Sequence, residues 1–323
     1  MPIFNLNHLP SNTKINLYTE PDCYGASAII ANKLKIPFRP RSFAYWSHGW
    51  KHLPIKYVDQ FGVPTNSIYL VATENDEAFL NQNGKNAKAV GLPFVYADEF
   101  DDFEVNRFNN TLLVMPPHGM SYTTKKWAET EYLDAIRDII NDFETTVACI
   151  HPADIANGNW IDSFKKMNIK CIEGARMDDA NALLRMRRLF RSFEFVTTNS
   201  IGSHVAYAAY CGCKTSIYGP YDYHDEKSLR EDELYKSRPD LLKFVVDGSS
   251  KSAIYTLFPD LFVEKPQHAI VLTSEAQKWL GKENMVDCFT LSKYLGWHPK
   301  DQIKHWSAKA IKKMKKEIGK FAA

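Results

Sequence analysis

No apolar run in this chain approaches the roughly 20 residues that a membrane-spanning helix needs, which sets aside a protein with helical spans. Other absences are equally informative. Neither GxxxxGK[ST] nor GxGxxG occurs, which argues against a P-loop NTPase and a simple dehydrogenase. No GxSxG elbow suggests a hydrolase. The 6 cysteines (Cys23, Cys149, Cys171, Cys211, Cys213 and Cys288) include no CxxC pair, and four lie in apolar contexts. They read as buried free thiols of a reducing cytoplasm. His, Cys and Asp do not cluster at zinc-ligand spacing, so neither a metal nor another cofactor is expected. Charge of one sign is scarce too: the net is +2, so no domain-wide basic footprint points to nucleic acid. The opening MPIFNLNHLP has no basic stretch followed by an apolar one, so no secretory signal is read and the expected location is cytoplasmic.

What is present is the material of a folded protein. The 323 residues are 45% hydrophobic and 13% aromatic, with room for two domains. Apolar runs alternate with helical patterns, the signature of parallel sheets with crossover helices. Strands are predicted at Ile15–Tyr18, Phe43–Tyr45, Ile68–Val71, Thr111–Met115, Val147–Ile150, Lys170–Ile172, Phe193–Val196, Thr215–Tyr218 and Ala269–Leu272. Helices are predicted at Tyr24–Lys33, Asp76–Asn81, Trp127–Phe143, Ile161–Met167, Ala180–Arg191 and Ser203–Tyr210. The acidic, non-periodic stretch Ala97–Phe108 is the best linker candidate. The expected fold is therefore α/β, with Rossmann-like halves at 1–107 and 108–323 facing each other across a cleft.

The C-terminus differs. From Asp301 onward it reads as one helix, and Lys304, Lys309, Lys312, Lys313, Lys315, Lys316 and Lys320 crowd its end. Ile311, Met314 and Ile318 form a narrow apolar stripe beneath them. A solvated helix packed on the body of the protein is one reading. Peripheral contact with anionic lipid headgroups is the other.

The most informative stretch is Phe193–Pro220. A buried strand ends in Thr197-Thr198-Asn199-Ser200, and a helix opens at Ser203. Free N–H groups and the helix dipole at such a junction favour a phosphate. An ordinary N-cap at Ser200 is the plain alternative. Three His motifs also follow predicted strands. In Trp46-Ser47-His48-Gly49-Trp50, glycine permits a sharp turn and an imidazole can take a proton from a sugar hydroxyl near neutral pH. Trp46 and Trp50 are candidates to stack on a sugar face. Met115-Pro116-Pro117-His118-Gly119 repeats the strand–turn–His pattern, and His151-Pro152 ends another strand where an imidazole could hold a phosphate. Each has a structural alternative, as an incidental or core-capping His. Glu173, after a further strand, could accept bonds from a ribose or base, or face solvent.

His151-Pro152 together with Thr197-Thr198-Asn199-Ser200 resembles the donor-binding motifs of bacterial two-Rossmann (GT-B) glycosyltransferases that build surface polysaccharides. The pattern is nearest to sialyl-, polysialyl- and Kdo-transferases and to teichoic-acid glycerophosphotransferases. The last group carries a Trp-His-Gly motif whose His is a proposed base. Trp46-Ser47-His48-Gly49 is similar, with Ser inserted. The sialyltransferases' acidic motif has no clear match; Glu20 and Asp22 are the nearest candidates. The resemblance implies a nucleotide-sugar donor, preferably a cytidine nucleotide, held by His151, Pro152, Thr197, Thr198, Asn199 and Ser200; His118, Ser203 and Glu173 join them as donor-binding candidates from their own positions after strands and at the helix start. It implies a base at His48, Glu20 or Asp22 and a glycan or lipid-linked acceptor. A nucleotide-sugar epimerase and an inert carbohydrate-binding relative stay open as alternatives.

Overall fold

The structure, a computed structural model, describes residues 5–58, 68–117, 129–223, 226–230 and 233–307. Two sheets organise them. The first has strands β1 (Tyr45–Trp46), β2 (Ile68–Val71) and β3 (Asn86–Ala89), in the order β1-β2-β3. The second has β4 (Phe108–Val114), β5 (Thr145–Ile150), β6 (Lys170–Glu173), β7 (Phe193–Thr198) and β8 (Lys214–Ile217), in the order β6-β5-β4-β7-β8. Every pairing between these strands is parallel. Counted from its own first strand, the second sheet runs in the 3-2-1-4-5 order of a doubly wound half, with its switch point between β4 and β7. The expected α/β architecture with parallel sheets is the observed one.

Helices α1 (Ala26–Lys33), α2 (Glu74–Gln82) and α3 (Pro93–Glu99) flank the first sheet. Helices α4 (Glu129–Arg137), α5 (Pro152–Ala156), α6 (Ile161–Lys166), α7 (Ala182–Ser192) and α8 (Ser203–Tyr210) connect strands of the second. Beyond β8 lie α9 (Glu226–Leu229), α10 (Glu233–Ser237), α11 (Pro239–Ser249), α12 (Lys251–Leu257), α13 (Thr273–Leu280) and α14 (Cys288–Tyr294). Local chemistry explains the sharper boundaries. The Thr73 hydroxyl accepts from Asp76 N, and Glu74, Asp76 and Glu77 sit at the positive end of α2.

The middle strands are apolar on both faces because helices cover both. Leu112, Leu113 and Val114 of β4 are fully buried, as are Phe193 and Val196 of β7. One hydrophobic cluster joins the two sheets, running from Trp46, Leu70 and Phe94 to Leu113, Val147, Val205 and Tyr207. The ends of the chain cross over. Thr13 N donates to Asp179 Oδ1 at 2.7 Å and Arg185 donates to Pro10 O at 3.0 Å, so the N-terminal segment lies on the second half. The C-terminal helices return to the first: Phe43 N donates to Leu295 O at 2.9 Å, and Trp297 Nε1 to Ser42 Oγ at 3.1 Å.

Several local expectations need correcting. Ile15–Tyr18 is no strand; next to it, Lys14 makes a lone antiparallel bridge to Asp179. Ala269–Leu272 likewise offers only the Val271–Lys214 bridge. Conversely, β3 is a strand with the sequence NAKA, which has no apolar run; pairing with β2 makes it one. The Ala97–Phe108 stretch is not a free linker. Its start belongs to α3, and Asp98 and Asp101 meet three arginines of α7: Arg187 at 3.1 and 3.2 Å, Arg188 at 2.8 Å and Arg191 at 2.7 Å. The residues beyond 307, with most of the Lys-rich stretch, lie outside the described residues.

Candidate active site between the two sheets

A cleft of about 520 Å³ opens where the strands of both sheets end. Its walls are the segments that leave their carboxyl ends. Ser47 to His52 follow β1, Met115 to Pro117 follow β4, and His151 follows β5. Gly174 and Ala175 follow β6, and Ser200 to His204 follow β7. Peptide units diverge at such a point, and open α/β sheets bind ligands there.

The second half presents a polar floor. Gly202, extended at φ 175°, leads into α8, whose first N–H groups have no acceptor within the helix. Ser200, Ser203 and His204 line the cleft around that end. His204 Nε2 lies 3.1 Å from Thr198 Oγ1, which orients the ring. His204 escaped the sequence reading; its place one residue into a helix that follows a Thr/Ser-rich strand end was the available signal. His151 caps α5, its Nδ1 accepting from Ala153 N at 3.2 Å, and Pro152 is the first residue of that helix. The two neighbouring threonines point away. Thr197 is fully buried and bonded to Ser216 Oγ at 2.9 Å, and Thr198 is fully buried under His204. Asn199 is buried as well, its amide donating to Pro220 O at 2.7 Å. These three therefore shape the turn rather than line the cleft, a correction to their expected role as ligand contacts. Glu173 is also off the cleft wall, held by Arg176 at 3.0 Å and Asn12 at 3.0 Å. His118 lies outside the described residues.

The first half presents His48. Its Nδ1 contacts Glu20 Oε1, and the side chains keep 38% and 31% of their surface exposed. Nε2 makes no hydrogen bond among the described residues and belongs to a ring that lines the cleft. The backbone places this pair carefully. Glu20 opens the short 3-10 segment Glu20–Gly25, whose last residues Tyr24 (φ 58°) and Gly25 (φ 78°) turn the chain into α1. A Cβ on Gly25 would stand 2.1 Å from Ala180 O, so only glycine lets this turn press against the second half. Asp22, which the sequence put on a par with Glu20, has another task. It is 1% exposed, and its oxygens accept from Tyr18 N (2.9 Å), Thr19 N (3.1 Å) and Ser27 Oγ (2.7 Å). It fastens the turn and does not reach the cleft.

The loop after β1 is anchored across the cleft. Ser203 Oγ accepts from Trp50 N at 2.9 Å, and Tyr207 donates to His48 O at 3.0 Å. Trp46 is not free to stack on a sugar, whereas Trp50 lines the cleft. Trp46 is fully buried with Nε1 donating to Gly91 O at 3.0 Å, and Trp50 is 9% exposed against Trp279. Lys51 keeps exposed surface, yet surrounding protein lowers its pKa, while the Glu20 and Asp76 carboxylates act in the opposite sense. Cys23 lies beside the His48–Glu20 pair. Burial, with the charges of Glu20 and Asp22, pushes its thiol up to about 12. Glu20, Cys23 and His48 bring one ligand atom each to within 4.8 Å of one another, a mixed donor group that spacing along the chain did not reveal.

No family model and no curated protein matches this chain. Among solved structures it is similar to Staphylococcus aureus MnaA with UDP (13% identity, 75% of this chain and 60% of that one, TM-score 0.36). It is similar also to the Methanocaldococcus jannaschii UDP-GlcNAc 2-epimerase with UDP-GlcNAc and UDP (17%, 80% and 71%, TM-score 0.36). The GtfA/B complex follows at 10% identity, 69% and 51% coverage and a TM-score of 0.26. The chain thus spans 60% of the first of these. Similarity this remote assigns no role to any residue.

Proposed function

We propose that this protein is a glycosyltransferase. It moves a sugar from a nucleotide-activated donor, preferably a cytidine nucleotide, to a hydroxyl of a bacterial surface glycan. One observation carries the reading: His48, with Glu20 behind it on Nδ1, faces the start of α8 across one cleft, with His151, Ser200, Ser203 and His204 around the far wall. Residues 1–107 form the acceptor side in this reading and 108–323 the donor side.

The chemistry follows from the two walls. The acceptor hydroxyl gives its proton to His48 Nε2, while Nδ1–H donates to Glu20 and fixes the tautomer. The hydroxyl oxygen bonds to the anomeric carbon as the bond from that carbon to the phosphate oxygen breaks. The leaving phosphate gains negative charge, and the α8 N–H groups with the Ser200 and Ser203 hydroxyls stabilise it there. Such donors strengthen as charge develops, so they favour the transition state over the bound donor.

The reading is tested by incubating the protein with CMP-, UDP- and GDP-sugars, with and without glycan acceptor. Acceptor-dependent nucleotide release supports transfer. Epimerised sugar without release points to an epimerase, and nucleotide binding with neither outcome to an inert relative. Peripheral membrane contact through the Lys-rich C-terminus belongs to the same proposal. Neutralising Lys312, Lys313, Lys315 and Lys316 should reduce sedimentation with phosphatidylglycerol-containing vesicles, and equal sedimentation refutes it.

A further inference from the structure

Glu20, Cys23 and His48 offer an oxygen, a sulfur and a nitrogen within 4.8 Å of one another, and His48 lines the cleft. The set is not scattered surface acid. Cys23 is 8% exposed, and Glu20 and His48 are partly buried. Zinc bonds of about 2.0 to 2.3 Å put tetrahedral donor atoms roughly 3.3 to 3.8 Å apart, a spacing of the same order as that of the three donors here. Glu20 and Cys23 sit three residues apart on one short turn. The Asp22 carboxylate is engaged with its own turn and does not compete.

We propose that this trio is an inhibitory zinc site. Three protein ligands of mixed S, N and O type suit Zn²⁺ over Mg²⁺ or Ca²⁺. Binding releases the Cys23 thiol proton to solvent. It also takes His48 Nδ1 as a ligand, so the imidazole proton moves to Nε2. Nε2 then has no lone pair for the acceptor hydroxyl, and transfer stops. The inhibitory consequence rests on His48 being the base; metal capture does not.

The chelator-treated full chain is titrated with Co²⁺, whose thiolate charge-transfer absorption reports a cysteine ligand directly. The expected result is a band saturating at one equivalent, displaced by Zn²⁺ and lost in Cys23→Ser. In parallel, Zn²⁺ should protect Cys23 of the unaltered protein from alkylation, a readout that needs no variant to fold. Cys23→Ser should keep its zinc-free turnover and resist zinc. Cobalt binding without the band, or equal alkylation with and without zinc, overturns the site. Zinc capture without loss of turnover overturns the inhibition. A protein that captures zinc but transfers no sugar keeps the site and loses the proposed reaction.

Discussion

Replacing Glu20 by Gln isolates the contribution of one carboxylate. The amide keeps the shape of the side chain and removes the charge that faces His48 Nδ1. A hydrogen bond to a charged group contributes about 1.5–3 kcal/mol. The side chains of His48 and Glu20 are 38% and 31% exposed, so solvent screens the pair and the lower end applies. About 1.5 kcal/mol corresponds to roughly a tenfold fall in kcat. His48→Ala removes the base itself, for which the loss is about 10² to 10⁴. If the two act as one unit, Glu20→Gln costs nothing further once His48 is gone. The assay is steady-state nucleotide release at saturating donor, with donor affinity measured separately by calorimetry. Affinity should stay nearly constant across the set. Additive losses in the double variant, or a turnover that survives His48→Ala, would refute the pairing and send the search for a base to Lys51.

Gly49 and Ser203 should be coupled in stability. A Cβ on Gly49 would lie 2.8 Å from Ser203 Oγ but 3.9 Å from its Cβ, so Gly49→Ala should lower the urea midpoint and Ser203→Ala should largely relieve that loss. An equal cost in both backgrounds contradicts the close approach. Arg187, 5% exposed, holds Asp98, Asp101 and Phe103 O together. Removing one partner of a buried ion pair costs about 3–5 kcal/mol, and since Arg188 and Arg191 remain, we expect Arg187→Ala to cost roughly 2–3 kcal/mol in denaturant unfolding. A loss under about 1 kcal/mol would mean the acids are satisfied without it. Burial lowers His52 from 6.5 to about 4. Between those values the unfolded chain takes a proton that the folded chain refuses, so stability falls as pH drops from 6.5 towards 4. His52→Gln should flatten melting temperature against pH in that window, and an unchanged slope assigns the acid sensitivity elsewhere.

Much of the fold was legible because its signals are local. The second sheet is written as largely apolar runs at Thr111–Met115, Val147–Ile150 and Phe193–Val196, since helices cover both faces and all but Met115 and Glu194 in these runs are buried. The polar junction before α8 was equally plain. β3 was not, because Asn86-Ala87-Lys88-Ala89 owes its extension to β2 and not to its own side chains. The Ala97–Phe108 stretch misled for a related reason. Its acids looked solvated until three arginines from α7, far along the chain, were brought against them.

The site divides in the same way. The sequence by itself determined that helix α8 starts behind a Ser/Thr-rich strand end, that His48 and His151 follow strands, and that the architecture is parallel α/β, because each depends on neighbours a few residues away. Only the tertiary structure decided that Glu20 faces His48 while Asp22 is spent on its own turn. It also decided that Thr197, Thr198 and Asn199 turn inward, and that Cys23 joins a mixed donor group. The places of Glu20, Asp22 and Cys23 depend on the turn after residue 19, which presses against Ala180, and those of Thr197, Thr198 and Asn199 on partners at His204, Ser216 and Pro220; contacts between segments apart in sequence have no local pattern to announce them.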